Sequence, residues 1–327
     1  MHELPAPLRA ALAATSTRHP GPALQETTAR LVQRYQLGTP ARAPLLTSDL
    51  DAAAYATYRM PATFAAVRSV FGETARLAPS LAPTSHLDVG GGTGSAVWAA
   101  AAVWPSITEH TVLEQAPAVA RLGAELAADG GDGVRTTTWT LGDLADPQEL
   151  PRANLVTASY VLGELDADTR AALVERLLGQ LSDPAGVLVV VEPGSVAGHE
   201  RVLAAREQVL AAGLHLLAPC PHSHTCPMVG TRDWCHFAVR LPRSPEHRRA
   251  KGAALGFEDE KLAYLVAVRE PAEAAPARVV RHPTMRKGLV QLQLCTREEG
   301  LRTEVVSKRE GARYRAARAL SWGDAWS

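Results

Sequence analysis

The run His86-Leu87-Asp88-Val89-Gly90-Gly91-Gly92-Thr93-Gly94 limits the folds open to this chain more than any other stretch. Residues 86–89 are too few and too apolar for anything but a short buried strand. The glycines break that strand into a tight turn, and the Ala/Val/Trp-rich residues 95–104 then read as a helix. Strand, glycine turn and helix in succession open a doubly wound α/β sheet. The pattern continues with a strand at 109–114, a helix at 117–128, strands at 134–141 and 154–159, a helix at 168–181 and a fifth strand at 186–192 that stops at Pro193-Gly194. Such a sheet binds its ligand at the C-terminal ends of the strands.

Around this core the sequence predicts additions. Residues 1–45 alternate Ala/Leu-rich helical stretches with Pro and Gly. Residues 48–78 open with Ser-Asp-Leu-Asp, which is N-cap chemistry, and read as two helices abutting at Pro61. A helix over 198–212 precedes a cysteine-rich segment, and 261–268 and 289–295 read as late strands. The expected organisation is a helical region 1–80, a Rossmann-like core 81–200, a cysteine-rich and basic segment 201–260, and a part 261–327 that completes the sheet and ends in a basic tail. No apolar run approaches the roughly 20 residues that span a bilayer. The N-terminus lacks a basic stretch followed by an apolar core, so no signal peptide is expected and a reducing cytoplasm is the expected compartment.

An acid two residues before the first glycine, in Asp88-x-Gly90-x-Gly92-x-Gly94, separates this turn from a dinucleotide loop, where pyrophosphate sits on the helix N-terminus and a nearby acid is unwelcome. Methyltransferases of the Rossmann-like class place an acid there to bind S-adenosylmethionine. Gly90, Gly91, Gly92 and Gly94 let the backbone approach the methionine moiety. Glu114, ending the second strand, suits ribose hydroxyls, and Asp143, after the third strand, suits an adenine amino group. Each acid alone could equally cap a helix or face solvent. Catalytic residues are not assigned: after the fourth strand stands Ser159-Tyr160-Val161-Leu162-Gly163-Glu164, without the Asn/Asp-Pro-Pro-aromatic run of amino-group methylases. No cysteine occurs in residues 1–219 to serve as a nucleophile toward pyrimidine carbon. Tyr160 and Glu164 suit acid/base or stacking roles as well as they suit a core aromatic and a helix cap.

The chain has only 4 cysteines. Cys220, Cys226 and Cys235 stand close together, and Cys295 follows later. Four thiolates complete the ligand set of a metal centre. The Cys-x5-Cys-x8-Cys spacing is not that of common zinc fingers, and Pro221 and Pro227 follow the first two cysteines as in iron–sulfur loops, so a 4Fe-4S cluster is expected. Zinc, completed by His222, His224 or His236, stays open as the alternative.

Net charge is +0, from 34 basic and 34 acidic residues, but its distribution is uneven. Residues 1–200 hold 13 basic and 21 acidic side chains, a balance of −8, and residues 201–327 hold the remaining 21 and 13, a balance of +8. A basic C-terminal part implies a polyanionic partner unless it merely reflects solvated helix faces. The candidate phosphate-binding residues are Arg240, Arg243, Arg248, Arg249, Lys251, Arg281 and Lys287. Trp234 and Phe237 could stack on bases or pack over the metal centre.

With these residues assembled, the chain resembles the small ribosomal subunit methyltransferase-like family, whose mitochondrial members assist assembly of the small subunit. The resemblance runs from about Tyr55 to Trp322. It rests on Tyr55-Ala-Thr-Tyr58-Arg59-Met-Pro61, Leu87–Gly94, Val191-Glu-Pro-Gly194, the three-cysteine segment through Trp234-Cys235-His236-Phe237, Leu241-Pro-Arg243-Ser, Gly256–Tyr264, Arg281-His282-Pro283, Lys287-Gly288 and Cys295. It implies a class I S-adenosylmethionine-dependent methyltransferase domain, a 4Fe-4S cluster on Cys220, Cys226, Cys235 and Cys295, and contact with small-subunit rRNA. Two roles are compatible with it: methylation of rRNA, or assembly of the subunit with cofactor and cluster retained structurally.

Overall fold

Residues Val187, Val189 and Val191 point to one side of their strand and Leu188 and Val190 to the other, and all five are buried. A strand apolar on both faces belongs in the middle of a sheet covered by helices on both sides. The computed structural model describes residues 2–37, 46–146 and 149–327 and places it there. Residues 38–45 of the expected N-terminal helical region lie outside the described residues.

Four helices come first: α1 (Ala6–Thr17), α2 (Gly21–Leu37), α3 (Asp49–Tyr58) and α4 (Met60–Leu77). Ser48 caps α3 in a reciprocal capping box with Asp51, and Pro61 sits in the first turn of α4, where a missing N–H costs nothing. The wound core follows as β1 (Ser85–Val89), α5 (Ser95–Val103), β2 (Glu109–Glu114), α6 (Pro117–Ala127), α7 (Asp132–Arg135), β3 (Thr138–Leu141), β4 (Leu155–Ser159), α8 (Ala167–Gly179), β5 (Val187–Pro193) and α9 (Val196–Ala211). Then come β6 (His215–Ala218), β7 (Phe237–Pro242), α10 (Pro245–Lys251) and β8 (Phe257–Val268). The chain ends with β9 (Ala277–Val279), β10 (Thr284–Arg286), β11 (Leu289–Thr296), β12 (Gly300–Ser307), α11 (Ala312–Ala319) and β13 (Ala325–Trp326).

The main sheet runs β3-β2-β1-β4-β5-β8-β6, with β7 also paired to β8. β1 to β5 are parallel, and β8 is antiparallel to β5, β6 and β7. One apolar layer joins α4, α5 and α6 to one face, and a second joins α8 and α9 to the other. This is a Rossmann-like α/β fold. Its order reverses at β1, between β2 and β4, so the crevice above β1 is where a ligand belongs.

Two expectations are corrected. The third strand starts at Thr138 rather than residue 134, because residues 132–135 form a helical turn that buries Val134. The late segment does not complete the main sheet as a whole. β8 does, but the expected strand at 289–295 lies in a separate sheet, ordered β10-β11-β9-β13 with β12 on β11. The alternation of β11 explains this: Val290, Leu292 and Leu294 are buried in a core of their own with Val279, Val306, Ala317 and Trp326, whereas Leu289 and Gln293 are exposed. A strand with one solvated face cannot occupy the interior of a sheet covered on both sides. No helix among the described residues is long and apolar enough to cross a membrane.

Candidate cofactor pocket and cysteine cavity

Above the switch point lies a largely polar pocket lined by Leu46, Tyr55, Gly90, Gly92, Glu114, Gln115, Ala116, Leu144, Ser159, Tyr160, Val161 and Glu164. Gly90 and Gly92 have φ of +69° and +59°, a backbone region that disfavours side chains, and a Cβ on Gly92 would stand 3.6 Å from the Tyr55 ring. Gly94, at φ +83°, starts α5. Gly91 touches the floor: a Cβ there would fall 2.5 Å from Asp88 Oδ2.

Glu114 is fixed by the turn it serves. The Gly92 N–H donates to Oε2 at 3.0 Å and the Ala116 N–H to Oε1 at 2.8 Å. Two oxygens offer about four lone-pair sites, so acceptor capacity remains for a pair of hydroxyls. Burial raises the Glu114 pKa against these bonds. Asp88 lies beneath the turn, 1% exposed, with Oδ1 accepting from Thr157 Oγ1 at 2.6 Å and Oδ2 without a partner. Its pKa is pushed up to about 7 by burial, opposed by the Thr157 bond and reinforced by Glu114. Since Thr157 donates to Asp88, its oxygen accepts from His86 Nε2 at 2.9 Å. The His86 Nδ1, 3.0 Å from His110 Nδ1, is then the acceptor of that pair. Asp143 does not line the pocket. It is exposed, and its carboxylate accepts from the Ala145 N–H at 2.9 Å.

Glu164 does line the pocket, and burial, then Glu114 and Glu192, push its pKa up to about 7. Its short helical turn is held by Glu192 at the end of β5, which accepts from the Leu162 N–H at 3.0 Å and from Arg201 at 2.6 Å. Tyr160 stands at φ +60°, uncommon for an aromatic residue, with the Arg59 guanidinium 4.2 Å from its ring centre and Arg59 paired to Glu260 at 3.0 Å. Tyr55, Gln115 and Leu144 are pocket residues for which the motif reading assigned no role. Tyr55 approaches from α3, and no sequence pattern announces a contact between an N-terminal helix and a glycine turn.

A second, mostly apolar cavity of about 600 Å³, open solvent included, lies between the main sheet and the small one. Cys220, Cys226, Cys235 and Cys295 all line it, as do His222, Arg206 and Arg278. Three cysteines come from the connection between β6 and β7, and the fourth from β11. Burial raises the thiol pKa values of Cys220 and Cys235, and that of Cys295 to about 12, and the neighbouring cysteines add to this. Soft donors of this kind suit a thiophilic metal centre that supplies the positive charge thiolates need. Among the described residues, however, no three His, Cys, Asp or Glu groups are placed to hold one metal ion. His222 Nε2 lies 3.5 Å from Cys295 Sγ. His224 stacks on His222, and His236 is stacked on Trp234 at 4.9 Å and does not line the cavity. Trp234 also donates to the Gly194 carbonyl at 2.9 Å, and Phe237 packs on Tyr264.

Most of the expected phosphate-binding residues carry carboxylate partners. Arg240 makes two 2.7 Å bonds to Asp259, Arg243 and Lys251 both reach Glu258 at 2.7 Å, Arg249 pairs with Glu246 at 3.1 Å, and Arg281 pairs with Asp233. Arg248 and Lys287 have no ion pair among the described residues.

Residues 49–327 match the family model described as mitochondrial small ribosomal subunit Rsm22. The chain belongs to this family. It is 28% identical over 290 residues to the Homo sapiens ribosome assembly protein METTL17, mitochondrial, covering 83% of this chain and 61% of that protein. It is 26% identical over 325 residues to the Schizosaccharomyces pombe Rsm22-cox11 tandem protein 2, mitochondrial, covering 85% of this chain and 43% of that protein. The chain thus spans less than two thirds of these relatives. Among solved structures it is similar to the glycopeptide N-methyltransferase MtfA, with a TM-score of 0.40 and 16% identity over 62% of this chain and 90% of that one. It is also similar to the magnesium protoporphyrin IX methyltransferase ChlM from Synechocystis PCC 6803 with bound SAM, with a TM-score of 0.42 and 15% identity over 64% of this chain and 80% of that one.

Proposed function

We propose that the chain binds S-adenosylmethionine in the polar pocket above β1 and acts on the small ribosomal subunit during its assembly as an rRNA methyltransferase. The observation that carries the cofactor reading is Glu114, whose carboxylate is locked by two backbone N–H groups at the mouth of a turn with Gly90 and Gly92 at positive φ. Gly90 and Gly92 would admit the methionine part, Glu114 would take the ribose hydroxyls, and Asp88 packs beneath Gly91. The cofactor supplies an electrophilic methyl group. Glu164, in the same pocket and with a pKa near 7, suits proton removal from an attacking nitrogen or hydroxyl. The subunit assignment rests on the family and on the ribosome assembly protein among its relatives.

The metal reading is part of the same proposal. Cys220, Cys226, Cys235 and Cys295 would hold a 4Fe-4S cluster, with zinc as the other occupant, because three from the β6–β7 connection and one from β11 line one apolar cavity. Bound metal would join the small sheet to the core. Action in the cytoplasm, rather than in the compartment named for the relatives, also belongs to the proposal.

The deciding experiment incubates protein purified without oxygen with labelled S-adenosylmethionine and immature small subunits from cells lacking the gene. Label in rRNA that disappears in Glu164→Gln, with cofactor binding retained by calorimetry, supports the enzyme. Cofactor binding without label moves the assignment to an assembly factor that does not catalyse transfer. Absence of cofactor binding refutes the pocket assignment.

A further inference from the structure

The ion pairs redistribute the positive charge of the C-terminal part. Arg240, Arg243, Lys251, Arg249 and Arg281 are matched by Asp259, Glu258, Glu246 and Asp233, whereas Arg232 and Arg248 have no ion pair among the described residues. At the far end of the small sheet four unmatched cations stand together. Arg286 ends β10, Lys287 opens the two-residue turn to β11, and Lys308 and Arg309 start the helical turn after β12. The Lys308 N–H donates to the Gly288 carbonyl at 2.8 Å, which sets the two pairs side by side. All four side chains are exposed, and none has an ion pair or side-chain hydrogen bond among the described residues. The nearest acid in sequence, Glu310, is engaged by the Ser307 N–H and by Arg313.

This basic tip continues into an open sheet face. Registers Leu289↔Ser307, Gln291↔Val305, Gln293↔Thr303 and Cys295↔Leu301 put these eight residues on one side of β11 and β12. The other side carries Val290, Leu292, Leu294 and Val306 and is covered by α11 through Ala317 and Tyr314. On the open side Leu289 is 38%, Leu301 40% and Val305 54% exposed, interleaved with amides and hydroxyls. Its Cys295 end faces the cysteine cavity, which Pro227 also lines. Apolar residues left exposed in a row beside unpaired cations mark a contact surface rather than a solvated face.

We propose that this face, with Arg286, Lys287, Lys308 and Arg309 at its tip, is where the protein grips single-stranded or looped RNA: the cations take backbone phosphates, while Leu289 and Val305 seat bases or riboses and Gln291, Gln293 and Thr303 hydrogen-bond their edges. It deepens the small-subunit reading above and rests on it for the choice of RNA over an anionic membrane, whose charge would be the same. It also moves the principal phosphate contacts away from Arg240, Arg243, Arg249 and Lys251.

The test uses the full chain, purified without oxygen, and a fluorescent mixed-sequence RNA stem-loop, with anisotropy read across a salt series. Four phosphate contacts on unpaired strand predict a log–log salt slope of about −3. Lys287→Gln with Lys308→Gln, both exposed, should bring the slope to about −1.5 and weaken binding at least tenfold near 100 mM salt. Leu289→Ser with Val305→Ser should weaken binding several-fold and leave the slope unchanged. Arg240→Gln with Arg249→Gln should change affinity less than twofold. The proposal is overturned if the tip pair keeps the wild-type slope, if the Arg240/Arg249 pair carries the loss, or if the tip pair instead loses binding to phosphatidylserine vesicles while RNA binding is intact. The cofactor assignment fails separately: S-adenosylmethionine calorimetry on the same proteins reads it without RNA.

Discussion

Asp88→Asn should make the cofactor-free protein more stable at alkaline pH and no more stable at acid pH. The folded Asp88 pKa is raised from 3.8 to about 7. A carboxyl that binds its proton more tightly when folded stabilises the fold fully below pH 3.8 and loses that contribution as pH rises through 7. At 1.36 kcal/mol per pH unit the whole displacement is about 4 kcal/mol, of which about 3 kcal/mol falls between pH 5 and 8. Asparagine removes this pH dependence and can still accept from Thr157. Its amide replaces Oδ2, which has no partner, and leaving that group unsatisfied costs about 1–3 kcal/mol. The net expectation is a gain of about 1–3 kcal/mol at pH 8 and, about 3 kcal/mol lower, between no change and a loss of about 2 kcal/mol at pH 5. Urea unfolding of both proteins at pH 5, 6, 7 and 8 measures it. If the difference between them stays flat across that range, Asp88 is ionised in the folded protein without penalty and the burial argument is wrong.

Other perturbations test other parts of the molecule. Glu114→Gln removes the charge and replaces one of the two oxygens that accept from backbone N–H groups with an amide nitrogen that cannot accept; S-adenosylmethionine affinity by calorimetry should fall at least tenfold, about 1.4 kcal/mol. Gly198→Ala places a methyl group 1.9 Å from the Pro193 carbonyl oxygen in the first turn of α9, where the neighbour is backbone and cannot swing away; a loss of about 1–3 kcal/mol in thermal or urea unfolding is expected. Glu258 is buried, which works to raise its pKa, but Lys251 first and then Arg243 and His247 hold it below the usual value. Its contribution is therefore present near neutral pH and lost on acidification, and Glu258→Gln should cost about 2–3 kcal/mol at pH 7 and much less near pH 3, again by urea midpoints.

The wound core was legible because its signals are local. β1, β2 and β5 are short apolar runs that end at a Gly, Pro or acid, and the capping box at Ser48 is written in four residues. The start of β3 was misplaced because Val134 serves a core just as well from a helical turn as from a strand. The second sheet was missed because the alternation in residues 289–295 fixes a strand but not its partners, and pairing with 300–307 is a tertiary choice. At the pocket, the glycines and Glu114 stood out by spacing. Tyr55 did not, since its approach from α3 depends on how two distant elements pack, and Asp143 is exposed after β3, outside the pocket lining. The basic residues were countable, but which of them remain unpaired depends on carboxylates such as Glu258 and Asp259, which only the fold brings beside them.

β8 pairs with β7 through residues 257–262, with β5 through 262–268 and with β6 through 266–268. During synthesis, then, the edge of β5 stays open until the chain has grown from residue 193 to residue 268. At about 5–20 residues per second this lasts on the order of 4–15 s, with the edge of a strand whose first five residues are all apolar available to other chains. Cys220, Cys226 and Cys235 all emerge in the same interval, before the strand that closes the sheet beside them exists and before Cys295 has been made. A nascent chain of this protein thus has a defined window of vulnerability, in which a chaperone covering β5 or thiol oxidation in the 220–235 segment decides whether the sheet closes.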